Sequence, residues 1–464
     1  MPDTIVRPLI GAEDHGGPVD NFYLKKGTPR QKAIARADGI YMWDTEGRRY
    51  IDASSGPVVS NLGHGNKRVL AAMAAQAGKA TYAHHAHFES EANVRLAELV
   101  TGLAGSGLER AFFVSGGSEA TESALKFARQ YAVAKGETAR WKVIGREPGY
   151  HGGTLGALAV TGDPVSHAVF GPMLKAMPKV PAPFTYRLPP NHDADSYARA
   201  ASAALEDCIR REGPETVLGF IMEPVGGLAT GALVAPDHYY RSVREICDRY
   251  GVLLIFDEVM SGAGRTGKFL AADHWPAARP DLVTLAKGIA AGYTPMGALL
   301  APDRMVETVA AAGGFMHGHT YLSNPLSCAV GFAVVSEMIE RNLITNAERM
   351  GALLRTRLEA LKAKSTILGD VRGKGLLHAI EIVTDKSTKA IPPASLLAVY
   401  RIVELAAKRG LLLYSRRTAG GKYGEWLMVS PPLIVAAAEI EEIVELIGLT
   451  LADYEAELRE AKLM

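Results

Sequence analysis

Asp281-Leu-Val-Thr-Leu-Ala-Lys287-Gly288 is a short apolar run that ends on a lysine and a glycine. Upstream, Val252-Leu-Leu-Ile-Phe-Asp257-Glu258 is a second apolar run, ending on an acid. Continuous apolar runs of this length suit parallel strands covered on both faces. In open α/β sheets, ligands sit beyond the carboxyl ends of such strands. The two runs therefore set a lysine and an acid facing one crevice.

Working outward, Arg110-Ala-Phe-Phe-Val114, Lys142-Val-Ile-Gly145 and Val217-Leu-Gly-Phe-Ile-Met222 are strand-like and alternate with helical patterns. That alternation predicts βαβ units, an α/β fold and a mostly parallel sheet. Before it, Gly39 to Gly47 reads as a hairpin followed by Arg49-Tyr-Ile-Asp52. The proline-rich stretch from about 163 to 195 reads as an irregular excursion. Beyond 330 come a long helical pattern and one glycine-marked strand, Val371 to Ile382. A helix near 394–409, a strand at 411–415 and a terminal helix from about 436 follow. A chain of 464 residues exceeds one compact core, so two domains are expected. Residues 66–325 form the large one. Residues 1–65 and 326–464 form the smaller α+β one, built from both termini.

Hydrophobic residues make up 48% of the chain and charged residues 22%, with a net charge of +1. This balance gives no sign of a nucleic-acid or membrane-surface partner. No run reaches the roughly 18 apolar residues of a membrane span. The N-terminal MPDTIVRPLIGAEDHGG lacks the apolar core of a secretory signal. The three cysteines, Cys208, Cys247 and Cys328, are widely spaced and form no CxxC. They fit neither a disulfide framework nor a zinc site, so a reducing cytoplasm is expected.

Six motifs carry chemistry. In Ser115-Gly-Gly-Ser-Glu-Ala-Thr-Glu-Ser-Ala-Leu-Lys-Phe-Ala-Arg129 a strand ends and an amphipathic helix begins near Ser118. Free amides at a helix start make an anion site, so Gly117 and Ser118 can present donors to a phosphate. A plain capped helix with Glu122 in its first turn is the simpler reading. In Gly149-Tyr150-His151-Gly-Gly-Thr154 an aromatic beside glycines can lie on a flat cofactor, or merely sit half-buried in a turn. Glu223, in Met222-Glu-Pro224, ends an apolar strand and needs a partner if buried. Asp257-Glu-Val-Met-Ser-Gly-Ala-Gly-Arg265-Thr-Gly267 lacks the GK[ST] of a Walker loop, which disfavours an ATP site. Arg265 reads as a structural ion-pair residue. Lys287 follows an apolar run and precedes a glycine, which weakens the usual reading of lysine as solvated. In Gly318-His-Thr320-Tyr-Leu-Ser-Asn-Pro325 a threonine hydroxyl can donate to phosphate. The lysine and acid together suit pyridoxal phosphate, which needs a Schiff-base lysine and an acid at its pyridine nitrogen. An acid there keeps the ring nitrogen protonated.

These strings resemble the class III (subgroup II) pyridoxal-phosphate aminotransferases of fold type I, in order and in spacing. SGGSEATESALKFAR, YHGGT, EPVGG, DEVMSGAGRTG, LAKGIAAGYTPMGA and HTYLSNP carry the match, which covers nearly the whole chain. The resemblance implies a large domain with a mostly parallel, seven-stranded type of sheet. It implies Lys287 as the Schiff-base lysine and catalytic base, and Asp257 as the catalytic partner of the pyridine nitrogen. Tyr150 and Val259 flank the ring, Gly117 and Ser118 cup the phosphate, and Glu223 lies near the substrate side. Thr320 reaches the phosphate from the other subunit. Such enzymes are obligate dimers, so a homodimer or a dimer of dimers is implied. Gly116 departs from the serine that many relatives carry.

The resemblance implies a ping-pong aminotransferase that moves an amino group from an amine or ω-amino acid to a keto acid, pyruvate or 2-oxoglutarate. An aminomutase, an epimerase or a decarboxylating transaminase of the same family is the alternative. A carboxylate substrate is best met by arginine. In ω-aminotransferases of the family, a switching arginine lies on the loop that here holds Arg416 and Arg417, and the sequence does not choose between them. Val58 stands where several relatives carry a large aromatic, which implies a roomier substrate pocket. His84, His85 and His87 invite a metal, but no acid or cysteine completes a set, so no metal is expected.

Overall fold

Val217–Met222 and Leu282–Ala286 are buried along their whole lengths, as strands covered on both faces must be. They belong to a computed structural model that describes residues 32–461. The reading of residues 1–17 as lacking a signal falls outside those residues, as do the first part of segment 1–65 and residues 462–464.

The chain enters through β1 (Ile34–Asp38), β2 (Tyr41–Asp44) and β3 (Arg49–Asp52), an antiparallel meander. Seven strands follow: β4 (Arg110–Val114), β5 (Lys142–Glu147), β6 (Lys179–Pro181), β7 (Val217–Met222), β8 (Leu253–Asp257), β9 (Leu282–Ala286) and β10 (Gly297–Ala301). They form one sheet in the order β4-β10-β9-β8-β7-β5-β6. The ladders from β6 through β9 are parallel, and β10 runs antiparallel between β9 and β4. The carboxyl ends of β4, β5, β7, β8 and β9 thus share one edge, and β10 begins at that same edge. The last strands are β11 (Leu368–Lys374), β12 (Leu377–Ile382), β13 (Leu411–Leu412) and β14 (Glu425–Val429). β11, β12 and β14 form an antiparallel sheet, while β13 runs parallel to β3 and extends the first meander. The α/β class and the mostly parallel seven-stranded sheet stand as expected.

Three local readings need correction. Val371–Ile382 is not one strand but the hairpin β11–β12. Lys374 pairs with Leu377, and Gly375 takes φ +57° at the first position of a two-residue turn. Glycine supplies that angle without steric cost. The stretch 163–195 is less irregular than its prolines imply. Pro164 sits in the first turn of the helix Pro164–Phe170, where its missing N–H costs nothing, and Lys179–Pro181 is an edge strand. The strand expected at 411–415 stops at Leu412, because the chain then turns to pair Tyr414 with Met428 of β14.

Among the described residues Arg265 also forms no salt bridge, and Asp52 acts on it only at a distance. Fully buried, it donates to the carbonyls of Leu376, Ser430 and Pro431 and to the side-chain oxygens of Ser55 and Asn61. It thereby ties the β8–β9 connection to segments from both ends of the chain. One continuous apolar cluster runs through all three sheets, including Ile51, Phe220 and Ile380.

Candidate active site

At the shared strand edge lies a cavity of about 400 Å³. Its wall includes Ser115 to Ser118 after β4, Gly149 to Gly152 after β5, Glu223 after β7, Asp257 and Val259 after β8, and Lys287 after β9. The antiparallel β10 adds Thr294, Pro295 and Met296 just before its start.

Asp257 is 4% exposed, and both of its oxygens accept hydrogen bonds. Its Oδ1 accepts from the Val259 amide at 3.0 Å and from Thr284 Oγ1 at 3.4 Å. Its Oδ2 accepts from His151 Nδ1 at 2.7 Å. Two oxygens held by three donors fix the carboxylate's orientation. His151 is itself buried, and its Nε2 finds no partner among the described residues. Lys287 has φ +50°, a left-handed angle that costs a non-glycine residue energy and that tertiary structure must impose. Burial pushes its ammonium below the ordinary lysine value, against the pull of Asp257 and Glu223. Glu223 is buried too, and burial raises its carboxyl; Asp257 raises it further while His151 and Arg146 lower it. The Gly227 amide donates to its Oε1 at 2.8 Å and the Tyr150 amide to its Oε2 at 3.5 Å.

The helix Gly117–Ala134 starts at the cavity with Gly116 as its N-cap. Glu119, not Glu122, bonds back to the Ser115 amide, at 2.8 Å. Glu122 instead accepts from the amides of Gly156 and Ala157. A Cβ on Gly117 would stand 2.8 Å from Val259 Cγ1, so glycine is what lets this helix start lie against Val259. Ser118 Oγ accepts from the Gly153 amide at 3.0 Å, which ties the two glycine-rich turns together.

Pyridoxal phosphate fits this set. The helix start offers free amides to a phosphate, Asp257 offers an oriented carboxylate to a ring nitrogen, and Lys287 offers an amine kept from water. Tyr150, 43% exposed, and Val259 both line the cavity as ring neighbours would.

The family model for aminotransferase class-III matches residues 23–451. The chain belongs to the class-III aminotransferases. It is 36% identical over 429 residues to the aminotransferase YodT of Bacillus subtilis (strain 168), covering 92% of this chain and 96% of that one. It is 31% identical over 439 residues to the putrescine–pyruvate aminotransferase of Pseudomonas aeruginosa, covering 94% and 93%. The ω-transaminase from Pseudomonas jessenii, solved in complex with PMP, superposes with a TM-score of 0.86 at 31% identity, covering 91% and 93%. As a class-III aminotransferase the chain is a pyridoxal-phosphate enzyme.

The structure separates residues that the sequence left together. Arg416 lines the cavity, pairs with Asp163 at 2.9 Å and stands over the Tyr150 ring at 5.9 Å. Arg417 turns away, and its Nε pairs with Glu425 at 2.5 Å in a nearly dry setting. Val58 does not line the cavity. At φ +62° its side chain packs into the core, and its neighbours Pro57 and Val59 face the space instead. Thr320 is exposed and lies outside the cavity of its own chain.

Sequence reasoning missed His151, Asp163 and Thr294–Met296. His151 had a signal, since it adjoins Tyr150 in a strand-end turn. Thr294–Met296 lie within LAKGIAAGYTPMGA, but their place at the cavity depends on β10 running antiparallel, and Asp163 carried no signal of its own.

Proposed function

We propose that this aminotransferase moves an amino group from an amine or ω-amino acid to a keto acid such as pyruvate or 2-oxoglutarate, in two half-reactions. One observation carries the reading: a desolvated amine and a pinned carboxylate share a cavity with a half-exposed guanidinium, Arg416. The name of the Pseudomonas aeruginosa relative agrees with an amine donor and pyruvate as acceptor.

In this reading Gly117 and Ser118 bind the phosphate, Tyr150 and Val259 flank the ring, and Asp257 faces the pyridine nitrogen. Bound pyridoxal phosphate supplies the aromatic electron sink for the charge left when a proton departs. Lys287 would take the proton that leaves the donor's Cα. Its neutral form is the base, so a depressed pKa readies it nearer neutrality. His151 holds Asp257 in place, and Arg416 receives the acceptor's carboxylate.

A homodimer belongs to the same proposal. Tyr82, Phe88, Met316 and Tyr321 are exposed, and Tyr82 and Tyr321 meet edge to face 6.3 Å apart. Such a patch, beside the exposed Thr320, is what a second subunit would cover. Cytoplasmic residence is supported by three free, buried cysteines. Among the described residues no helix is long and apolar enough to cross a membrane.

The test is a donor–acceptor screen on purified protein, with Lys287→Ala alongside. Amination of a keto acid matched mole for mole by carbonyl product from the donor is expected, and the variant should lose turnover by at least about 10³-fold. Wild-type-like rates in Lys287→Ala would sink the assignment of the base.

A further inference from the structure

The Asp163–Arg416 pair on the cavity wall is unequal. The Arg416 side chain is 45% exposed, whereas that of Asp163 is 6% exposed. Asp163 is rooted in the backbone. Its Oδ1 accepts from the Val165 amide at 3.3 Å, capping the helix Pro164–Phe170, and its Oδ2 accepts from Ser166 Oγ at 2.7 Å. Gly162 exchanges two backbone hydrogen bonds with Gly149, at 3.0 and 3.3 Å, which seats Asp163 beside Tyr150. Arg416 hangs from the loop after Ser415, whose hydroxyl is bonded to the Trp426 carbonyl at 2.7 Å.

A fixed, buried acid matched to an exposed base makes a wall that responds to both signs of charge. A substrate carboxylate that engages Arg416 must draw it from Asp163. A buried carboxylate left without its cation is costly, so that withdrawal is resisted. A substrate ammonium can take Arg416's place, which leaves Asp163 paired and frees the guanidinium to reach water. Resting on the aminotransferase reading of this cavity, we propose that Asp163 is a specificity-determining residue. It competes with the acceptor's carboxylate for Arg416, and it offers its own carboxylate to the distal ammonium of a diamine donor.

Asp163→Asn tests this, because asparagine caps a helix as well as aspartate does and removes only the charge. The holoenzyme is assayed with paired donors, an unbranched monoamine and the diamine of equal chain length, and with pyruvate as acceptor. The ratio of diamine to monoamine kcat/KM should fall about tenfold, the scale of one lost charge-assisted hydrogen bond. The KM for pyruvate should fall severalfold, and propionate, a carboxylate that does not react, should bind more tightly by calorimetry. Arg416→Ala should shift both readouts the other way, raising pyruvate KM and the preference for diamines. A damaged helix would lower both donors alike, and an unchanged ratio in Asp163→Asn overturns the proposal. A wild-type protein that transaminates nothing sinks the parent reading and this one with it. Wild-type transamination with an unmoved ratio sinks this one alone.

Discussion

Gly116 shows what one atom group can add. Its backbone is extended, and a Cβ there meets nothing within 4 Å, so any side chain can stand at this N-cap. Gly116→Ser should add a hydroxyl beside the helix amides that face the phosphate. The dissociation constant for pyridoxal phosphate, measured by absorbance titration of the apoenzyme, should fall about tenfold. An unchanged or weaker constant would rule out the phosphate cup at this helix. At this scale the sequence was legible where chemistry has a fixed address in the chain. Lys287 and Asp257 close apolar runs, and both reach the cavity. It was illegible where the outcome hangs on which way a side chain turns. Nothing in the order Arg416-Arg417 reveals that Glu425 claims the second, and nothing at Val58 reveals a φ of +62° that sends it into the core.

At the scale of elements, the long buried strands could be read because burial on both faces writes an unbroken apolar run. Strands without strand-forming residue types were blurred. Gly297–Ala301 (GALLA) carries no β-branched or aromatic residue, and Glu425–Val429 opens on a charged residue, so neither was singled out. The hairpin β11–β12 was merged because its two-residue turn contains a leucine, which carries no turn signal. Gly375 was the clue. It holds φ +57°, and a Cβ there would lie 2.4 Å from the backbone carbon of Thr266. Gly375→Ala should therefore destabilise the fold by about 2–4 kcal/mol, from left-handed strain plus a clash that backbone cannot relieve. Denaturant unfolding of the two proteins measures this, and coincident midpoints would refute it.

For the whole molecule, one buried and one half-buried imidazole predict sensitivity to acid. His378 lies in β12 at 1% exposure with Nδ1 unpartnered, and burial, aided by Arg355, pushes its pKa down to about 3. His274 is pushed down to about 4 by burial and nearby lysines. Below the usual histidine value of about 6.5 the unfolded chain takes up protons that the folded chain refuses. Stability is thus complete above that pH and is lost as pH falls towards 3. Each such group steepens the decline by about 1.4 kcal/mol per pH unit. His378→Gln should flatten the slope of unfolding free energy against pH between pH 6 and pH 4. Parallel curves for the two proteins would contradict this origin.

The pairing of β13 with β3 reaches beyond stability. Leu411 lies beside Ile51, about 360 residues earlier in the chain. During synthesis at roughly 5–20 residues per second, the N-terminal meander waits about 20–70 s for the strand that completes it. Its open edge must be sheltered through that interval. Assembly of this sheet is therefore a late step, set by the arrival of β13 and not by the meander that precedes it.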